Sequence, residues 1–190
     1  MKKLILSAAL AALAAPAMAH TGHDHVFGLL NGLAHPLMGS DHLLAMVAVG
    51  LWSGFVLPRS AWAGAAAFLS AMLAGAGLAF AGVGFPMVES AILTSVVVFG
   101  LLTLVARRGQ SGAVTAVSLT AIAAFALAHG HAHAAEATGG ALGYVAGFLA
   151  ASAALHLSGI ALARCVAGRP LVQRALGAGI AASGLLMMAG

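Results

Sequence analysis

The stretch 33-LAHPLMGSDHLLAMVAVGLW-52 decides how this chain is read. His35, Pro36, Asp41 and His42 head a run that otherwise has the composition of a lipid-soluble helix. Placed on one helix, His35, Met38, Gly39, His42, Met46 and Val49 follow the i, i+3, i+4, i+7 spacing of a single face. Histidines seven residues apart lie about 10.5 Å apart along an ideal helix axis. They can share one metal ion only if the backbone leaves the helix between them. Pro36 marks either such a departure or a first helical turn, where proline is tolerated. On a helix Asp41 points about 100° away from His42, so the adjacent pair is not expected to chelate. Each is expected to meet a ligand from another helix, or Asp41 to orient a ligating histidine from behind.

Composition sets the class. Of 190 residues, 62% are apolar and 6% charged, too few polar groups to cover a water-facing surface. The expected fold is all-α: a polytopic membrane helix bundle with six transmembrane helices after a cleavable signal peptide. A pI near 10.3 does not imply nucleic acid, because eight basic residues, scattered singly or in pairs, build no phosphate-binding patch. The single Cys165 excludes an intramolecular disulfide and any multi-cysteine metal site.

Residues 1–19 read as the signal peptide: Lys2 and Lys3, an apolar stretch too short to span a bilayer, then Ala17-Met18-Ala19 as the cleavage signal. Residues 20–190 form one transmembrane domain, with helices expected at about 35–57, 60–82, 87–106, 113–131, 139–164 and 171–189. A mature N-terminus outside the cell puts the first, third and fifth connections in the cytoplasm. These carry Arg59, Arg107, Arg108, Arg164, Arg169 and Arg174, while the outer loops carry no Lys or Arg. This charge asymmetry places the protein in a bacterial inner (cytoplasmic) membrane, as a multi-pass protein with its N-terminus extracytoplasmic. Gly139, Gly143, Gly147 and Ala151 form a small-residue stripe suited to close packing, within one bundle or between copies; a homo-oligomer is left open.

Nine histidines against four carboxylates is an unusual balance for such a chain, and ionisable residues inside a membrane are functional candidates. The mature N-terminus would read His20-Thr-Gly-His23-Asp24-His25, an α-amine and three imidazoles suited to capturing a borderline divalent metal. His129, His131, His133 and Glu136 end the fourth helix. If the helix continues, His129, His133 and Glu136 share a face and His131 looks elsewhere; if the segment is extended, the three histidines align instead. Glu89 begins the third helix on the same side, and His156 lies deep in the fifth, with Ser152 and Ser158 nearby, as a relay or exit ligand. The alternative for His156 is a histidine hydrogen-bonded to a neighbouring helix.

The run 35-HPLMGSDHLLAMVAVGL-51 resembles the HPxxGxDHxxxMxxVGL signature of the HupE/UreJ family of small nickel permeases. The leader, the His-rich N-terminus, the six spans and a second motif in 125-FALAHGHAHAAE-136 extend the resemblance along essentially the whole chain. The resemblance implies uptake of Ni²⁺ to supply hydrogenase or urease maturation. It carries His35, Asp41, His42, His129 and the neighbouring His131, His133 and Glu136 over as the metal path, with Met46 as a motif position. The wider nickel/cobalt permeases show HxxxxDH; this chain has one more residue before Asp41-His42, which leaves Co²⁺ as cargo open.

The expected function is that of a secondary transporter, not an enzyme, with no prosthetic group and Ni²⁺ as cargo. The chain has no nucleotide-binding loop. The competing readings are a membrane-embedded metalloenzyme, or a metal-sensing or chaperone subunit, with its metal at the outer face.

Overall fold

Apolar helices in lipid gain little by hiding from water, so their association rests on close backbone packing and on hydrogen bonds between them. Both are present in the computed structural model, which describes residues 23–190, with side chains from residue 27 onward. The proposed leader 1–19 and His20 lie outside the described residues, as do the side chains of His23, Asp24 and His25.

Among the described residues seven helices follow one another: α1 (His23–Met38), α2 (Ser40–Val56), α3 (Trp62–Phe80), α4 (Val88–Val105), α5 (Gly112–Ala135), α6 (Ala141–Cys165) and α7 (Pro170–Ala189). No strand occurs among the described residues. Helices α3 to α7 are each long and apolar enough to cross a membrane, and α1 with α2, bent by 80° at the break between them, has the length and composition of a sixth, broken span or a re-entrant loop. The protein is a multi-pass membrane protein.

Two boundaries differ from the sequence expectation. The span expected at 35–57 is split: α1 ends at Met38 and Gly39 is extended (φ −89°, ψ 115°) before α2 begins at Ser40. Pro36 sits in the last turn of α1, where it has no N–H to give back to the preceding turn, so the helix stops two residues later. The fourth span, expected to end at 131, runs on to Ala135, so the helical alternative for the second histidine motif is the one adopted.

Four helix pairs make the most extensive contacts, and each meets through glycines on both partners: α3 with α5 (Gly75, Gly130), α1 with α6 (Gly32, Gly147), α2 with α6 (Gly50, Gly159) and α4 with α7 (Gly100, Gly177). At Gly130 a Cβ would fall on the carbonyl oxygen of Met72, and at Gly159 on that of Val47. Only a residue without a side chain permits this approach. Gly139 stands in the turn before α6 with φ 77°, so the small-residue stripe expected there enters the helix only at Gly143.

Helix α2 is the hub, touching α1, α3, α4, α5, α6 and α7, with Ala45, Met46, Ala48, Val49 and Leu51 fully buried. Thr103 of α4 donates its hydroxyl to the carbonyl of Ala48 (3.1 Å). Gln173 of α7 donates to the carbonyls of Thr103 (3.1 Å) and Ala106 (2.8 Å) at the end of α4. Asn31 of α1 donates to Thr138 in the α5–α6 connection (3.0 Å). The polarity is inverted relative to a soluble protein: Val117, Leu157 and Leu186 are exposed, while Ser95, His129, His133, Ser152 and His156 are fully buried.

The two ends differ. The α2–α3, α4–α5 and α6–α7 connections gather at one end, around clefts of about 300–550 Å³ lined by Arg59, Arg107, Arg108, Arg164 and Arg174. The histidine motifs gather at the other.

Gly130→Val is expected to push α3 and α5 apart and to destabilise the full chain by roughly 1–3 kcal/mol, the usual range for overpacking. Gly77→Ala is its control: a Cβ there meets nothing within 4 Å, so the change should be neutral or stabilising by up to about 1 kcal/mol. Chemical unfolding in detergent measures both.

Candidate metal-handling site

The break at Gly39 builds the first half of the site. Asp41 and His42 fall in the first turn of α2, where backbone N–H groups lack helical partners. One carboxylate oxygen of Asp41, Oδ1, accepts from the His42 backbone N–H (2.8 Å) and from His42 Nδ1 (2.9 Å). Of the two arrangements expected for Asp41, a ligand from another helix or a carboxylate behind a histidine, the geometry is the second, and the histidine is its neighbour His42: Asp41 folds back over the helix start. Gly39 leaves the room, since a Cβ there would stand 2.9 Å from Asp41 Oδ1 and 3.2 Å from His42 Nδ1.

The break also lets α1 lie along the first half of α6, with Gly28 against Gly140 and Gly32 against Tyr144. His35 then approaches His42 with ring centroids 6.1 Å apart, closer than the axial separation a continuous helix would impose. The second half comes from α5, whose i, i+4 pair, His129 and His133, presents both rings to His42 at 4.9 and 4.5 Å. His133 lies 4.9 Å from His35. His42 is thus the centre of four imidazoles from three helices. Glu136, the C-cap of α5, closes the mouth by bonding His35 Nε2 through Oε2 at 2.9 Å. These two groups are partly exposed, while His129 and His133 are fully buried.

Hydrogen-bond logic fixes the tautomers. A carboxylate only accepts, so His42 carries its proton on Nδ1; its Nε2 is buried without a protein partner. Ser95 donates its hydroxyl to the carbonyl of Ile92 (2.6 Å) and so accepts from His129 Nε2 (2.9 Å), leaving His129 Nδ1 buried and unpartnered. Neither nitrogen of His133 has a partner; its ring stacks on Phe148, centroids 5.0 Å apart and planes 18° from parallel. Three neighbouring buried imidazoles therefore hold unshared nitrogen lone pairs, two of them oriented from behind by an acceptor, as in metal sites. Among the described residues no three such groups have their donors already gathered at ligand spacing. The rings stand mostly edge to face, and rotations about their χ angles must bring the nitrogens to a common ion.

The other sequence candidates lie apart. His131 donates Nε2 to the carbonyl of Val83 (2.8 Å) and pins the α3–α4 connection, with Phe85 5.8 Å from its ring. Glu89 is exposed in the first turn of α4. Met46 is fully buried one turn inward from His42. His156 lies deeper on α6, its ring against Phe68 at 4.9 Å. The sequence reading missed Ser95, Phe68, Phe148 and Tyr144, whose ring is 6.0 Å from His35 and whose hydroxyl is buried without a partner. Tyr144 is the chain's one tyrosine, and its polar tip within an apolar helix was the available signal.

The family model described as HupE / UreJ protein matches residues 8–187. The chain belongs to the HupE/UreJ family. Protein HupE of Rhizobium leguminosarum bv. viciae is 40% identical over 195 residues, with the whole of both chains covered. No solved structure matches the chain. In this HupE/UreJ protein the imidazoles around His42 of α2 come from His35 on α1 and from His129 and His133 on α5.

Ser95→Ala leaves a buried imidazole N–H without an acceptor and is expected to destabilise the protein by about 1–3 kcal/mol. Ser118→Ala, whose hydroxyl serves only the carbonyl of Val114 in its own helix, should change stability far less in the same detergent unfolding assay.

Proposed function

We propose that the protein is a secondary transporter that takes up divalent nickel across the bacterial inner membrane to supply metalloenzyme maturation. The observation that carries this reading is the meeting of four imidazoles, three of them buried with unshared nitrogens, at one end of an otherwise apolar bundle. Membership of the HupE/UreJ family supports it and ties the recipient to hydrogenase or urease. The arginine-lined end supports an orientation with that end in the cytoplasm and the histidines outside.

The mechanism runs from the leader inward. After cleavage of residues 1–19, His20, His23 and His25 capture the hydrated ion, and α1, starting at His23, carries the chain from there to His35. The ion competes with His35 for Glu136 and opens the mouth. His42, His129 and His133 then replace water, while Asp41 and Ser95 hold two of these rings in the tautomer that presents a lone pair. Imidazole suits nickel, and it suits other late divalent metals as well, so Co²⁺ is a second cargo to be tested by competition. Metal binding displaces protons, and the membrane potential supplies the drive. An inward potential of 100 mV is worth ~4.6 kcal/mol for a divalent ion, roughly three orders of magnitude in accumulation. An accessory role of this kind needs no catalytic residue.

Full-length protein in proteoliposomes with an imposed inside-negative potential is expected to accumulate radioactive Ni²⁺; absence of accumulation by the folded wild type would sink the transporter reading. His42→Ala should abolish uptake, and Asp41→Asn, which keeps the shape but weakens the hold on Nδ1–H, should lower it about 10- to 100-fold.

A further inference from the structure

Below the outer cluster, the bundle holds a second group of unpaired polar atoms. His156 is fully buried on α6, two turns further along the helix than Phe148, about 12 Å deeper by helical rise. Its Nδ1 lies 2.6 Å from the carbonyl of Ser152. A carbonyl only accepts, so Nδ1 carries the proton and Nε2 holds a lone pair. That Nε2 is buried without a partner, which is not the arrangement of a histidine held merely as a structural link between helices.

Two hydroxyls share this condition. Within their helices Ser95, Ser118 and Ser158 all give their protons back to a carbonyl three or four residues earlier. The hydroxyls of Ser152 on α6 and Ser53 on α2 are buried and make no hydrogen bond at all. They belong to the helix pair that meets at Gly50 and Gly159, beside the backbone of His156. One aromatic ring connects the two levels: buried Phe68 lies 5.3 Å from His129 and 4.9 Å from His156.

We propose that His156 is an inner binding position for a borderline divalent cation, reached from the outer imidazole cluster past the ring of Phe68. The inference rests on the transporter reading for its role and on the buried Nε2 for its existence. The ring of Phe68 separates the levels without repelling the ion, since an aromatic face attracts a cation within about 6 Å of its centroid. Nε2 of His156 receives the ion, and the free hydroxyl of Ser152, one turn away on the same helix, is available to soften the loss of water. Release follows toward the arginine-lined end.

The test uses full-length protein in a Cys165→Ser background, which removes the one native thiol, exposed near the end of α6. His156→Cys is titrated with Ni²⁺ in detergent, and the expected result is a near-ultraviolet thiolate-to-nickel charge-transfer band that the parent lacks. Absence of that band overturns the inner position. In proteoliposomes, His156→Gln is expected to lose about tenfold or more of the Ni²⁺ uptake while His156→Cys retains a measurable part. Uptake by folded His156→Gln within twofold of the parent overturns the role in transport. If His156→Gln does not fold, the band in His156→Cys decides. If the parent itself does not accumulate Ni²⁺, the transporter reading fails, while the band still decides whether position 156 meets metal.

Discussion

The bend at Gly39 is the constraint on which the rest of the site depends. A continuous helix from His35 to Trp52 would strand its two histidines two turns apart. The 80° turn instead lets α1 lie along the first half of α6 and exposes the first amides of α2. Those amides draw Asp41 back onto His42, and the pair fixes which nitrogen of His42 is free. The same turn lets Glu136, from the end of α5, reach His35. One extended residue thus sets the tautomer, the approach of the rings and the closure of the mouth.

Much of this was legible in the sequence. Composition and arginine placement indicated a six-span bundle, and the described helices agree to within a few residues except at the first span. Pro36 signalled a departure from helix, but not that it would fall at Gly39 or how sharp it would be, because the angle is set by the packing of Gly28 and Gly32 of α1 against the backbone of α6. The i, i+4 spacing of His129 and His133 was readable as a helical pair, and His131 was expected to face elsewhere, as it does. Asp41 was legible as a carboxylate behind a histidine, but not that the histidine is its neighbour His42, since helical angles describe side-chain directions within a helix and not a carboxylate curling over its first turn. Ser95, Phe68 and Phe148 carry no signature in one sequence: their roles come from which helix lies opposite.

The bundle also shows how a membrane protein keeps polar groups inside without a polar core. Serines and threonines satisfy themselves on their own helices, so they introduce little need for partners. The exceptions are concentrated on the inward faces of α2, α5 and α6, where imidazoles and two serines keep unshared atoms. An unpaired polar atom in a dry interior costs about 1–3 kcal/mol. The glycine-paired helix contacts supply the backbone packing that offsets this.

The pairing of α1 with α6 has a consequence for biosynthesis. Asn31 meets its partner Thr138 only 107 residues later in the chain, on the order of ten seconds of ribosomal synthesis. Until α5 and α6 emerge, α1 has no groove to lie in, and His35 and His42 stand without the imidazoles of α5. A nascent chain therefore holds only half a cluster during insertion. Arrival of α5 completes the four imidazoles, and α6 then locks α1 over them.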